Sequence, residues 1–195
     1  MTQVAAPDTA PPLAGLTWFF GYGSLIWRPG FSYAERRPAL LSGYHRAFCR
    51  YSFRHRGTPE HPGLVIGLRE GGSCVGVAYG VAAPDVPAAL DYLDEREGAG
   101  YLRREQPLRL GLEGAGPEVT AWVYIPNPEH PSYFGEQDFA RLAALVAGGH
   151  GESGTALAYL RDLIAHLAEM GITEPELAHV LAAAQRHARN ERLAL

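Results

Sequence analysis

Residues 20–27 read Phe-Gly-Tyr-Gly-Ser-Leu-Ile-Trp, and this stretch joins two apolar runs through a turn that glycines flank. We interpret it as a buried strand that runs into a ligand-binding loop. Gly21 and Gly23 can adopt backbone angles that other residues avoid, and consecutive amide groups in such a turn can converge on an anion such as a carboxylate. The same residues also suit an ordinary turn, so the stretch alone leaves both interpretations open.

The length and charge of the chain favour one domain that acts on a small molecule. Its 195 residues suffice for a hydrophobic core without disulfides or metal. Its 21 acidic residues outnumber 17 basic ones, and no block of like charges suggests binding to nucleic acid or to a membrane surface. Cys49 and Cys74 lack a Cys-x-x-Cys spacing, and no apolar window reaches the length of a membrane helix. We therefore expect a soluble, cytoplasmic protein.

Short apolar segments separated by glycine and proline dominate the first two thirds of the chain, and helical periodicity dominates the rest. The predicted strands cover residues 17–22, 43–52, 64–69, 74–81, 101–110 and 119–125. The predicted helices cover residues 86–96, capped by Asp85 and followed by Gly98, and residues 137–146, 155–170 and 174–192. This order favours an α+β fold, a small mixed β-barrel flanked by helices. We expect a disordered Pro/Ala-rich lead over residues 1–16 and a single domain over 17–195.

Glu97 is the first catalytic candidate. It continues, at helical spacing, the face formed by Val86, Leu90 and Leu93, which we expect to be buried. Burial and the negative end of the helix dipole both disfavour an ionised carboxylate, and so raise its pKa. A glutamate with a raised pKa suits the role of a general base near neutral pH.

The other interpretation of Glu97 is a helix-terminal carboxylate in solvent, paired with Arg96 or Arg103. The small residues after it favour the catalytic interpretation, because Gly98 and Gly100 would leave open space around the carboxylate.

No cofactor or metal motif occurs in the chain. Ile26 stands where a dinucleotide-binding fingerprint needs its third glycine, and Ser24 lacks the Gly-x-Ser-x-Gly context of a serine hydrolase. The histidines lack metal-ligand spacing, so we expect neither metal nor cofactor. Tyr133, in a turn, and Tyr159, in a helix, are candidate hydroxyl donors to a substrate, although a tyrosine in such a helix is more often part of the packing.

Together, these motifs resemble the ChaC family of γ-glutamylcyclotransferases over about residues 18–185. The stretch at 20–27 is similar to the family's substrate loop, and His-Arg-Gly-Thr-Pro at 55–59 is similar to the segment that follows it. Arg96-Glu97 with Gly100-Tyr101 resembles the pattern that carries the family's catalytic glutamate. Residues 127–135, 158–160 and 171–173 extend the resemblance.

The resemblance implies a six-stranded barrel-like core flanked by helices, no cofactor, and conversion of glutathione to 5-oxoproline and cysteinylglycine. Glu97 would be the general base and then the acid, and Arg56 or Arg103 would screen the carboxylates of the substrate. The implied substrate contacts are Gly21, Tyr22, Gly23, Ser24, Leu25, Ile26, Tyr133 and Tyr159.

The chain departs from the family at Leu64, where members often carry an arginine, and in the small uncharged residues between Glu97 and Tyr101. Both departures concern the side of the leaving group. Two alternatives stay open: an enzyme of the same fold that acts on another γ-glutamyl amine or amino acid, and a module that binds γ-glutamyl compounds without turnover.

Overall fold

A computed structural model of the chain describes residues 13–135 and 138–193. The strands are β1 (Leu16–Gly21), β2 (Glu35–Ser52), β3 (Gly63–Ala82), β4 (Tyr101–Leu110), β5 (Glu118–Pro126), β6 (His150–Gly151) and β7 (Gly154–Thr155). The helices are α1 (Val86–Glu97), α2 (Phe139–Gly148), α3 (Ala156–Glu169) and α4 (Pro175–Leu193). This architecture confirms the predicted α+β class.

A closed barrel forms the centre of the fold, with the strands in the order β1-β3-β2-β4-β5. Most neighbouring strands are antiparallel, but β1 and β5 are parallel and meet at the pairs Trp18↔Ala121 and Phe19↔Trp122. The predicted small mixed β-barrel is therefore confirmed. β6 and β7 form a separate hairpin.

The barrel has five strands and not the six that we expected, because residues 64–69 and 74–81 belong to the single strand β3. Pairing with β2 continues across the intervening residues, with Ser42 opposite Ser73 and Tyr44 opposite Glu70. Gly43, Gly71 and Gly72 have positive φ angles of 85°, 97° and 69°, so both strands bulge here without separating.

The helices begin and end close to the predicted residues. Asp138 caps α2 by accepting hydrogen bonds from the amides of residues 140 and 141, and the hydroxyl of Thr155 caps α3 through the amide of residue 158. Asp85 precedes α1 but makes no side-chain capping bond, whereas Gly98 ends α1 with a φ of 62° as expected. Residue 137, the predicted start of α2, lies outside the described residues.

The main core lies between the barrel and the three C-terminal helices, and includes Phe20, Leu64 and Leu160. A second apolar cluster packs α1 against the barrel through Phe19 and Leu93. Of the expected lead, residues 1–12 lie outside the described part of the chain, while the side chains at 13 and 16 pack against the main core. The last turn of α1 is consequently held against the same barrel wall as the loop after β1.

Candidate active site

A cavity of about 360 Å³ lies where the loop after β1 meets the end of α1. It brings together seven of the residues predicted to act in catalysis or binding: Tyr22, Gly23, Ser24, Leu25, Arg56, Glu97 and Tyr159. Residues from β2, β3, β4, β5 and the β6–β7 turn complete the wall. Predictions about residues far apart in sequence therefore converge on one cavity.

The loop folds sharply because glycine stands at its start. A Cβ atom on Gly21 would lie 2.8 Å from the Cβ of Leu25, so a larger residue could not be accommodated without a shift of the loop. The chain then makes a 3₁₀ turn over Ser24–Ile26, in which the amide of Ile26 donates to the carbonyl of Gly23 at 2.9 Å. The amides of Ser24 and Leu25 come before the first amide that donates within the turn, so the turn itself does not use them. Both residues line the cavity.

Tyr22 anchors the loop to the barrel. Its buried hydroxyl donates to the carbonyl of Tyr124 on β5 at 2.6 Å, and its own carbonyl accepts from Nε of Arg46 at 2.6 Å. Arg46 is itself buried in β2, and its guanidinium also contacts Glu174 and the carbonyl of Val75. The start of the loop is thus fixed by hydrogen bonds to two strands, β5 and β2, and Arg46 links it further to Glu174 and β3.

The hydroxyl of Ser24 is bound by an arginine of α1. Its Oγ accepts a hydrogen bond from Nη2 of Arg96 at 2.9 Å. A guanidinium is always protonated and cannot take the proton of a serine, so this contact does not activate the hydroxyl as a nucleophile.

Glu97 is the last residue of α1, and its side chain is only 15% exposed. Burial raises its pKa, while the positive charges of Arg96 and Arg50 oppose that rise. The Arg96 Nε lies 3.6 Å from Oε1 of Glu97. Arg103, the other expected partner, pairs instead with Asp94 on the outside of the helix. Glu97 therefore combines access to a cavity with a carboxylate that binds a proton more tightly than a surface glutamate does.

Two tyrosines complete the wall around Glu97. Tyr159 on α3 is buried, and a Cβ on Gly23 would lie 3.0 Å from its hydroxyl, so the absence of a side chain at 23 lets loop and tyrosine approach. Burial, followed by the nearby charge of Glu97, raises the pKa of the Tyr101 hydroxyl. Burial raises the pKa of the Tyr159 hydroxyl as well, so both hydroxyls are protonated at neutral pH and can donate hydrogen bonds.

The cavity is cationic although the whole chain has a formal net charge of −4. Arg28, Arg50, Arg56 and Arg96 line it, and Glu97 is the one carboxylate among the described residues of its wall. Arg56 lies 5.3 Å from the centre of the Tyr159 ring and donates to the carbonyl of residue 153. A wall with this balance of charge is suited to a ligand that carries more than one carboxylate.

Four predicted residues lie elsewhere. Gly21 and Ile26 flank the loop but are not among the described residues that line the cavity, and Ile26 is buried in the main core. Tyr133 pairs with β2 through an isolated bridge, and its ring lies 6.0 Å from the guanidinium of Arg69. Arg103 lies 5.1 Å from the ring of Trp122, outside the cavity, so of the two arginines expected near the carboxylates of a substrate only Arg56 lines it.

Sequence reasoning missed Arg50, which lines the cavity from β2. Its guanidinium lies 4.3 Å from the centre of the Tyr101 ring, and a Cβ on Gly100 would lie 2.6 Å from its Nη2. We expected open space at both glycines. At Gly100 an arginine fills that space, whereas nothing lies within 4 Å of a Cβ on Gly98. The small residue at 100 was the available signal that another side chain occupies this position.

Across residues 13–135 and 138–193, no group of three or more potential metal-ligating side chains occurs. In the same part of the chain, no helix is long and apolar enough to span a bilayer.

Known proteins resemble the chain over most of its length. The sequence model of a family described as ChaC-like protein matches residues 17–187. The glutathione-specific gamma-glutamylcyclotransferase of Escherichia coli is 34% identical over 184 residues, which cover 94% of this chain and 79% of the relative. Human glutathione-specific gamma-glutamylcyclotransferase 1 is 37% identical over 180 residues, which cover 83% of this chain and 81% of the relative.

Solved structures show the same likeness. A crystal structure of a yeast gamma-glutamyl cyclotransferase specific to glutathione matches with a TM-score of 0.80 and 26% identity, covering 89% of this chain and 99% of the yeast chain. A further gamma-glutamyl cyclotransferase shares the fold at 16% identity and a TM-score of 0.52, with 85% of this chain and 86% of the other covered.

Proposed function

Since the chain belongs to the ChaC-like protein family, we propose that it is a γ-glutamylcyclotransferase that cleaves glutathione into 5-oxoproline and cysteinylglycine. The E. coli and human relatives bear the name of this glutathione-specific activity. The enzyme class follows from that relationship, and the assignment of roles to residues is our proposal.

The observation that carries the proposal is the position of Glu97. A buried carboxylate with a raised pKa lies in the same cavity as the loop of Tyr22–Leu25, with no other carboxylate among the described residues of the wall. The reaction needs one group that can accept a proton and return it. A carboxylate whose pKa is raised toward neutrality suits both steps better than an exposed one.

The loop and the arginines account for binding. Glutathione carries two carboxylates and one ammonium group, which matches the surplus of arginine over carboxylate in the cavity. We assign the γ-glutamyl head to the amides of the loop and to the hydroxyl of Tyr159. Holding this flexible head in a bent conformation brings its amine to its own γ-carbonyl, and such positioning can supply a large part of the rate enhancement.

The chemistry is intramolecular and requires no nucleophile from the protein. The α-nitrogen forms a bond to the γ-carbonyl carbon, and the bond from that carbon to the cysteinyl nitrogen breaks. The α-ammonium loses two protons in becoming a lactam N–H, and the departing nitrogen gains two in becoming an ammonium. Glu97 removes a proton from the α-nitrogen before attack and delivers it to the leaving nitrogen, so it acts first as a base and then as an acid. The second proton of the α-nitrogen passes to solvent, and the released amine takes its second proton from solvent.

A substrate panel tests the proposal. Purified protein is incubated with glutathione, with γ-glutamyl amino acids and with γ-glutamyl amines, and 5-oxoproline is measured by mass spectrometry. We expect release from glutathione at the highest kcat/KM. Faster release from another member of the panel would reassign the substrate. Binding seen by calorimetry, with no 5-oxoproline released from any member, would identify a non-catalytic module.

A further inference from the structure

A second cavity of about 560 Å³ adjoins the first. We call the first the inner cavity and the second the outer cavity. Six residues line both of them: Arg50, Ser52, His55, Tyr92, Arg96 and Glu97. The loop residues Tyr22–Leu25 and Tyr159 line only the inner cavity. Glu97 therefore stands at the boundary between the two spaces.

If the proposed function holds, this arrangement determines which half of the bound substrate lies in which cavity. If Glu97 serves both the attacking and the leaving nitrogen, then the bond that breaks lies beside it. The γ-glutamyl head occupies the inner cavity against the loop. The leaving half must then extend into the outer cavity.

The outer cavity contains three arginines, and they differ in what already binds them. Arg54 forms an ion pair with Glu152 at 2.8 Å. Arg96 donates hydrogen bonds to three oxygen atoms, on residues 24, 28 and 92, besides lying beside Glu97. Within residues 13–135 and 138–193, no carboxylate lies within 4.0 Å of the guanidinium of Arg50.

The hydrogen bonds of Arg50 are long. Its Nε donates to Oγ of Ser132 and its Nη2 to the carbonyl of Glu97, both at 3.4 Å. Its guanidinium also interacts with the hydroxyl of Tyr101, which opposes the rise in the pKa of that hydroxyl. Arg50 is therefore a cation at the boundary of both cavities that no carboxylate of the described residues neutralises, so it remains able to bind an anion.

The guanidinium is nonetheless held in one place. It lies over the ring of Tyr101 at 4.3 Å, and the missing side chain of Gly100 makes room for it. Stacking on an aromatic face fixes the plane of the fork while leaving its N–H edge free for a carboxylate. An arginine oriented in advance loses little conformational freedom when the anion arrives.

We propose that Arg50 binds the terminal carboxylate of the leaving half and makes the enzyme select γ-glutamyl compounds that end in an acid over those that end in an ester or amine. Leu64 is fully buried in the main core, so it supplies no charge to this side of the site. Arg50 on the paired strand provides the positive charge there.

The test compares glutathione with its glycyl monoethyl ester, which retains the γ-glutamyl bond and the thiol but lacks the terminal carboxylate. For the wild type we expect kcat/KM to be about 10-fold or more higher for glutathione than for the ester, because the ester lacks one charge-assisted hydrogen bond. Arg50→Met lowers kcat/KM for glutathione about 10-fold to 100-fold more than for the ester, mostly through KM. Because Arg50 also opposes the rise in the pKa of Glu97, any change in kcat falls on both substrates alike. Arg50→Lys restores part of the preference because the charge is kept.

Arg103→Met is the matched control, because Arg103 also stacks on an aromatic ring but lies outside both cavities. We expect it to leave both substrates within about 2-fold of the wild type. Equal losses on glutathione and on the ester in Arg50→Met would overturn the proposal, as would the same selective loss in Arg103→Met.

Binding distinguishes this proposal from the proposed function. In a Glu97→Gln background, calorimetry measures the affinity for glutathione and for the ester without turnover, with and without Arg50→Met. A preference for glutathione that depends on Arg50 supports the proposal even if the wild type releases no 5-oxoproline, which would refute only the proposed function. Affinities that do not depend on Arg50 overturn the proposal even if turnover is normal.

Discussion

Replacing Glu97 with glutamine should lower activity and raise stability at the same time. The substitution keeps the shape of the side chain but removes its ability to accept a proton. We expect kcat to fall by about 10²-fold to 10⁴-fold, the usual contribution of a general base. The helix and the cavity wall should remain in place, because glutamine fits the same volume.

The gain in stability follows from the sign of the pKa shift. Burial raises the pKa of Glu97 above its unfolded value despite Arg96 and Arg50, so ionising the folded protein costs more than ionising the unfolded chain. The wild type thus loses stability as pH rises through this raised pKa, whereas the glutamine variant does not. At pH 8 we expect the variant to be more stable by about 0.5–2 kcal/mol, the range common for single stabilising substitutions. At pH values below the ordinary pKa of glutamate, the difference should vanish.

Urea unfolding between pH 4 and pH 8 measures the stability, and release of 5-oxoproline measures kcat across the same range. Wild-type kcat should fall as pH drops through the raised pKa of Glu97, because a protonated base cannot act. Asp91→Asn on the exposed face of the same helix is the control, and should change neither quantity. Turnover by Glu97→Gln within about 3-fold of the wild type would refute the catalytic role, and lower stability at pH 8 would refute the electrostatic argument.

Two further substitutions test how the site is held together. Gly100→Ala places a methyl group where the guanidinium of Arg50 lies, so we expect a higher KM for glutathione, an unchanged KM for its ethyl ester and an intact fold; an unchanged KM for glutathione would contradict this packing. Arg46→Met removes the donor to the Tyr22 carbonyl and leaves buried partners unsatisfied, so we expect the free energy of unfolding to fall by about 3 kcal/mol in urea titrations. The exposed Arg109→Met serves as its control, and equal midpoints for the two variants would argue against the anchor.

The fold was predictable from local patterns wherever these agreed with tertiary pairing. Strand β4 and the end of α1 at Gly98 lie where periodicity and capping rules placed them. Strand β2 begins at Glu35, earlier than the predicted residue 43, because charged residues and Pro38 obscured its first half. That half is stabilised by partners on β3 and β4, and such long-range pairing leaves no local signal.

The site was predictable where chemistry and position coincide in the sequence. Glu97 could be found because helical spacing and a following glycine mark a buried helix end. Arg50 could not, because its place in the cavity arises where β2 passes the end of α1, 47 residues further along the chain. Tyr133 is the opposite case. Its position in a turn indicated a hydroxyl that could reach a substrate, but its ring lies beside Arg69 and does not line the cavity.

The short parallel contact between β1 and β5 also has a consequence for how activity appears during folding. Trp18 pairs with Ala121 and Phe19 with Trp122, across a longer stretch of chain than any other strand pair of the barrel bridges. Contacts of such high sequence separation carry the largest loop-closure entropy and tend to form late. The loop follows β1 directly, and Tyr22 hydrogen-bonds to β5. Closure of the barrel and assembly of the inner cavity therefore depend on the same pairing, so we expect a chain in which β1 and β5 are not yet paired to lack the complete cavity.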